Sequence, residues 1–186
     1  MMLRFLLKIL TVFAVMGAFF VMGACSDGAG RVSKTGFADN KQKKDSLENL
    51  NRYLVSQEKE AINEYISNTG AEFEKTGTGL CYRIVNQGDG ELIQTGDIVA
   101  LDYELRLLDG DLVYSSHENG LKVFVVGRGG VESGLEEAVL YLHKGDEAEI
   151  IIPSHLAYGL AGDGDKIPIR STIVYKLKVI ENQSNK

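Results

Sequence analysis

The sequence predicts an α+β domain, an antiparallel β-sheet curled around one short α-helix, with a further helix ahead of it. Three observations predict this. Between Leu80 and Ile180 the apolar residues recur with a period of two in short, β-branched runs. One stretch among them, Ser133 to Leu142, switches to helical spacing. That short helix carries a single apolar stripe, which must be buried, and the surrounding strands are what can cover it.

Taken in order, the chain opens on Arg4 and Lys8 followed by an uncharged run from Ile9 to Cys25 that ends Met22-Gly23-Ala24-Cys25-Ser26. A positive start, an apolar run and small residues before a cysteine form the plan of a secretory signal. They resemble a lipobox, in which the peptidase needs small side chains near the cut and the cysteine becomes the lipidated N-terminus. The expectation is a signal peptide over 1–24 and a lipid on Cys25. The rival reading is an uncleaved membrane helix, since the run is only slightly short of a span. By resemblance to Gram-negative lipoproteins, Ser26 after the cysteine points to the outer membrane, facing the periplasm.

Residues 25–44 are rich in Gly, Ser, Asp and Lys and read as a flexible tether. Asp45 then offers a cap, and Leu47, Leu50, Leu54, Ala61, Ile62, Tyr65 and Ile66 recur at helical spacing, predicting a helix over 45–70. Its charged residues, Glu58, Lys59 and Glu60 among them, read as solvated surroundings. A helix docked on the domain, or a spacer, fits better than a membrane-surface helix, because the polar face is not predominantly basic.

The strands follow as 80–85, 98–106, 112–114, 123–126, 148–152 and 172–180, with Asp109-Gly110 as a hairpin turn. In the interposed helix, Ser133 and Glu136 suggest a capping box, Leu135, Ala138, Val139 and Leu142 the stripe, and Gly145 the stop, with His143 in the last turn. Cys81 lies in an alternating strand and reads as a small buried hydrophobe; with Cys25 lipidated it has no intrachain disulfide partner.

Composition narrows the function. A net charge of −6 argues against a nucleic-acid partner, because no basic stripe could neutralise phosphates. His117, His143 and His155 lack ligand spacing, Gly127-Arg128-Gly129-Gly130 lacks the Lys-Ser/Thr ending of a phosphate loop, and Asp163-Gly164-Asp165 is too short for a calcium loop. No cofactor and no metal is implied. The two prolines, Pro153 and Pro168, bracket an Ala157-Tyr158-Gly159 turn whose tyrosine offers a ring to pack a ligand and a hydroxyl to hold it.

The run Gly96-Asp97, Leu101-Asp102-Tyr103, Asp109-Gly110, Tyr114-Ser115-Ser116, Phe124-Val125-Val126-Gly127, Val131-Glu132-Ser133-Gly134-Leu135-Glu136-Glu137-Ala138, Lys144-Gly145-Asp146, Ala157-Tyr158-Gly159 and Ile167-Pro168 resembles the FKBP family of peptidyl-prolyl cis-trans isomerases over 77–182. The layout of a lipidated cysteine and a preceding helix is similar to FKBP-type lipoproteins of Bacteroidetes, including those linked to gliding motility. The resemblance implies a pocket for Xaa-Pro segments, with macrolide inhibitors as further ligands. It places Tyr103 and Phe124 on the pocket wall, Val131 and Glu132 as backbone partners of the ligand, Leu135 at the floor where many members have tryptophan, Tyr158 as donor to the substrate carbonyl, and Ile167 and Tyr175 on the remaining walls. Val113 takes a position often held by phenylalanine, and Tyr114 stands where the family has aspartate. Glu132 stands in place of a usual isoleucine, a change to which its backbone N–H is indifferent. Two functions follow: an isomerase assisting the folding of exported proteins at the cell envelope, or a catalytically weak FKBP-like module that binds envelope partners.

Overall fold

The computed structural model describes residues 35–180, with side chains from residue 40 onward. The signal segment, Cys25 and the first part of the tether lie outside the described residues. Residues 47–180 belong to one compact unit, and the helical residues before Leu47 fall in another.

The first helix, α1, runs Thr35–Thr69. It starts well before Asp45, so the last part of the expected tether is helical and Asp45 caps nothing. The physical reason is local: between Gly36 and Gly70 the sequence holds no Gly or Pro, and Ala38, Lys41, Gln42, Lys43 and Lys44 are favourable helix residues. Thr69 closes the helix with its hydroxyl on the Ile66 carbonyl, and Gly70 follows at φ 65°, the left-handed geometry that helix ends commonly use.

The strands are β1 (Glu74–Lys75), β2 (Cys81–Asn86), β3 (Ile98–Leu107), β4 (Leu112–Ser115), β5 (Lys122–Val125), β6 (Glu147–Ile152) and β7 (Ile173–Ile180). They form one antiparallel sheet in the order β1-β2-β6-β7-β3-β4, with β5 also on β3. The outer edge of β3 is thus shared: Ile98–Leu101 pair with β5, and Glu104–Arg106 with β4. Between β4 and β5 the chain turns through the short helix α2 (Ser116–Asn119). The Asp109-Gly110 turn forms as expected, with Gly110 at φ 98° and its N–H on the Leu107 carbonyl at 3.0 Å.

The remaining helix, α3, spans Ser133–Val139. Leu135, Ala138, Val139 and the following Leu142 are all fully buried against the concave face of the sheet. The capping box does not form. Ser133 is already inside the helix and gives its hydroxyl to the Leu156 carbonyl, while Glu136 accepts from the Gly129 N–H at 2.8 Å. The helix stops at Val139, so His143 lies beyond it, bridged to Leu92. Gly134 is required where it stands, because a Cβ there would meet Ile152 Cγ2 at 2.3 Å. The first turn of α3 can therefore press directly on β6.

Strand alternation divides the buried residues into two layers. Ile173, Tyr175 and Leu177 of β7 face α3 in the main core, whereas Val174 faces the other way. There it joins Cys81 and Ile151 in a second cluster covered by Ile62, Tyr65 and Ile66 of α1. Of the apolar stripe read on α1, Ile62 is buried, whereas Leu47 and Leu50 are exposed. Cys81 is buried as expected, and burial pushes its thiol pKa up, so it is a packing residue.

Candidate active site

Each side of the concavity between sheet and α3 comes from a different element. Tyr103 projects inward from β3 between the exposed Asp102 and Glu104. Phe124 comes from β5, Val113 and Tyr114 from β4, Tyr175 from β7, Leu135 from α3, and Tyr158 and Ile167 from the loop that joins β6 to β7. Tyr103, Val113, Phe124, Leu135, Ile167 and Tyr175 are all buried in the main core, and Val131, Tyr114 and Tyr158 pack on it half-exposed. The rings of Tyr103 and Tyr175 lie 5.7 Å apart at 54°, a tilted aromatic pair. These nine of the ten residues singled out for the site therefore belong to one cluster, and Glu132, the tenth, reaches it through its side chain. A cavity of about 770 Å³ lies elsewhere, on the outer face of the sheet among the Arg83–Glu149 and Lys178–Glu147 ion pairs. Its lining is rich in paired charges, and the aromatic cluster under α3 is the better candidate for an apolar ligand.

The concavity is not purely apolar, which corrects the sequence reading of Glu132. Its side chain turns inward and is buried. Lys122 Nζ sits 3.3 Å from either carboxylate oxygen, the Tyr175 hydroxyl donates to Oε1 at 3.0 Å, and the Tyr158 hydroxyl donates to the same oxygen in a short bond. Lys122 Nζ also donates to the Tyr175 hydroxyl at 2.6 Å and lies 5.3 and 5.2 Å above the Tyr103 and Tyr175 rings. A carboxylate beside a pocket is not a neutral substitution, because buried charge must find partners. Here one of the partners is the Tyr158 hydroxyl, the group that the family resemblance assigns to the ligand.

The electrostatics follow from that geometry. Burial opposes the Glu132 charge, but Lys122 and the Tyr158 and Tyr175 hydroxyls outweigh it and hold the carboxyl below its usual range. Burial, and then Glu132, through its charge at Tyr103 and Tyr175 and through its hydrogen bond at Tyr158, raise the pKa of all three tyrosines. All three remain hydroxyl donors at neutral pH. A hydroxyl has one proton to give. While Tyr158 gives it to Glu132, it is not available to a substrate carbonyl.

Lys122 was missed in the sequence, although a signal existed. It stands two residues before Phe124 on β5, so strand alternation puts both on one face.

Tyr114 neither fills the pocket nor stands in for the aspartate. Its hydroxyl donates to Asp163 Oδ2 at 2.5 Å and lies 3.4 Å from Asp165 Oδ2, while Lys166 Nζ stands 5.0 Å over its ring. The hydrogen bond to Asp163 pushes the phenol up to about 12. Lys166 also reaches the Val113 carbonyl at 3.1 Å. Tyr114 and Lys166 thus tie β4 to the β6–β7 loop, and the carboxylate at this corner comes from the loop. Asp163 shapes that loop as well, its Oδ1 accepting from the Asp165 and Ile167 N–H groups at 2.9 and 2.8 Å.

Comparisons with known proteins agree with this arrangement. Residues 90–180 match the family model described as FKBP-type peptidyl-prolyl cis-trans isomerase. The chain is 35% identical to a probable FKBP-type peptidyl-prolyl cis-trans isomerase FkpA of Neisseria meningitidis, over 70% of this chain and 53% of the relative. It is 31% identical to FK506-binding protein 2 of Yarrowia lipolytica, over 60% of this chain and 78% of the relative. The crystal structure of FkpA from Escherichia coli superposes with a TM-score of 0.59 at 28% identity, covering 94% of this chain and 81% of that one. The chain spans about half the length of the bacterial curated relatives it matches. Sheet order, the buried helix, the aromatic concavity and these matches together place the chain in the FKBP-type peptidyl-prolyl cis-trans isomerase family.

Proposed function

We propose that this chain is a peptidyl-prolyl cis-trans isomerase acting on Xaa-Pro segments of exported proteins at the cell envelope. The observation that carries the reading is the aromatic and aliphatic concavity of Tyr103, Phe124, Leu135, Ile167 and Tyr175, with the Tyr158 hydroxyl at its edge. Rotation about a peptide C–N bond faces a barrier of about 18–20 kcal/mol, and at proline both isomers are populated but exchange slowly. No bond breaks, so no nucleophile or metal is needed. The twisted imide has lost resonance, and its carbonyl is less dipolar than in the planar form. A dry, apolar pocket therefore favours the twisted state over the planar one. Each factor of ten requires only about 1.4 kcal/mol of such preference. Macrolide inhibitors belong to the same proposal as ligands of the concavity.

The envelope setting rests on Arg4, Lys8, the run Ile9–Cys25 and Cys25 itself. In this proposal Cys25 is lipidated and anchors the domain to the outer membrane on the periplasmic side, in the manner of the Bacteroidetes lipoproteins the layout resembles. The mass of the N-terminal peptide from a membrane fraction reads that anchor.

A second reading, a binding module with weak turnover, is favoured by the Glu132–Lys122 pair, which occupies Tyr158 and brings charge to the pocket. An isomerase assay on a short Xaa-Pro peptide separates the two. The expected result is turnover above the uncatalysed rate that falls at least about tenfold in Phe124→Ala, the change corresponding to about 1.4 kcal/mol of lost contact with the twisted imide. Uncatalysed rates with a folded wild-type protein would leave only the binding module.

A further inference from the structure

Glu58, a charged residue that the sequence pattern places on the solvated face of α1, is half-buried and its carboxylate is fully engaged. Oε1 accepts from the Ser154 N–H at 2.6 Å and from the Thr172 hydroxyl at 2.7 Å, and Oε2 accepts from the Ser154 hydroxyl at 3.1 Å. Ser154 and Thr172 are each only 5% exposed, so water is a poor substitute for this acceptor. Both residues are ends of one segment. Ser154 opens the 3-10 turn that follows β6, and Thr172 immediately precedes β7. Tyr158, Asp163 and Ile167 lie between them. One carboxylate from α1 thus grips both ends of the loop that forms a wall of the concavity.

A second contact points the same way. Arg170 has a φ of 56°, left-handed geometry that is disfavoured for a residue with a Cβ. Its N–H bonds the Gly159 carbonyl at 2.8 Å, closing the loop on itself, and its guanidinium reaches Asn51 Oδ1 of α1 at 3.4 Å. The strained residue sits where α1 supports it.

We propose that Glu58 is a positioning residue for the site: it holds the Ser154–Thr172 loop so that Tyr158 and Ile167 face Tyr103 and Tyr175, making α1 part of the site's framework. As a statement about turnover this rests on the isomerase reading; as a statement about the loop it does not.

The test compares Glu58→Ala and Glu58→Gln in the mature chain, by amide hydrogen exchange of 154–172 and by kcat/KM well below the melting temperature. Glutamine keeps an oxygen for the Ser154 N–H and Thr172, and its NH2 can donate to the Ser154 hydroxyl, which accepts as readily as it donates. The expected result is loop protection and turnover within about twofold of wild type for Gln. For Ala, both should fall about tenfold, the scale of one hydrogen bond, with β3 and β7 protection unchanged. If Glu58→Ala does not fold, Thr172→Val releases one end alone and should give a smaller loss confined to the loop. Unchanged loop protection in Ala or Val, an equal loss across the whole sheet, or Gln as impaired as Ala would overturn the proposal. A wild-type protein without turnover would sink the isomerase reading and leave the exchange data to judge the clamp.

Discussion

Replacing the pocket's ion pair by apolar side chains, Lys122→Met with Glu132→Leu, should make the protein a faster isomerase at the stability cost of one buried hydroxyl, that of Tyr175, left without its partners. Tyr158 now donates to a carboxylate, a charge-assisted bond of about 1.5–3 kcal/mol, whereas a substrate carbonyl offers a neutral bond of about 0.5–1.5 kcal/mol. The difference of roughly 1–1.5 kcal/mol is what a substrate must overcome, so releasing Tyr158 should raise kcat/KM about five- to tenfold. Stability separates the single and double variants. Glu132→Leu alone strands the Lys122 ammonium, and breaking a buried pair costs about 3–5 kcal/mol. Lys122 keeps 20% of its side chain exposed and can bend toward water, so the loss should fall at or below the low end of that range. In the double variant no charge is stranded, but the buried Tyr175 hydroxyl loses both its partners, so stability should stay below wild type by about 1–3 kcal/mol, the cost of one unsatisfied buried hydroxyl.

The assay is exchange of an Xaa-Pro peptide, with Tyr158→Phe introduced into both backgrounds as a cycle. Tyr158→Phe should change turnover little in wild type, where the hydroxyl is already engaged, and should cancel the gain in the double variant. An equal effect in both backgrounds, or no gain in a folded double variant, would refute the competition argument. The same carboxylate makes a pH prediction. Its folded pKa lies below the usual 4.5, so its contribution to stability is present above pH 4.5 and disappears as pH falls through the lower folded value. Acid titration of the double variant should lack that component.

Two further outcomes are expected. Tyr114→Phe removes the bond to Asp163 but keeps the ring under Lys166, so it should loosen the loop and lower kcat/KM a few-fold without unfolding the sheet; unchanged exchange in 154–172 would contradict this. A chain beginning at Glu72 keeps all seven strands but uncovers Cys81, Ile151 and Val174, and it loses the burial of Ile62, worth about 1.5–3 kcal/mol by itself. It should fold with a lower urea midpoint, and an unchanged midpoint would mean that α1 contributes nothing to the domain.

The sheet and α3 were legible because burial on one face imposes a period. Tyr103 between Asp102 and Glu104, and Leu135 with Ala138, Val139 and Leu142, declare their inward faces without any knowledge of what they pack against. The pocket's aromatic members were legible through spacing and family resemblance together. Charged side chains are not placed by such a pattern. Glu132 and Glu58 look like surface residues in a linear sequence, and their roles depend on partners far along the chain: Tyr158 and Tyr175 for one, Ser154 and Thr172 for the other.

The sequence by itself determined the α+β class and the strand or helix that carries Tyr103, Phe124, Leu135 and Tyr175, because hydrophobic periodicity is a local property. Only the tertiary structure decided that Glu132 turns inward to Lys122, that Tyr114 ties to Asp163, and that Glu58 closes the loop from α1. A charged side chain goes wherever the folded chain offers donors and exclusion from water, and those are supplied by segments that no local pattern brings together.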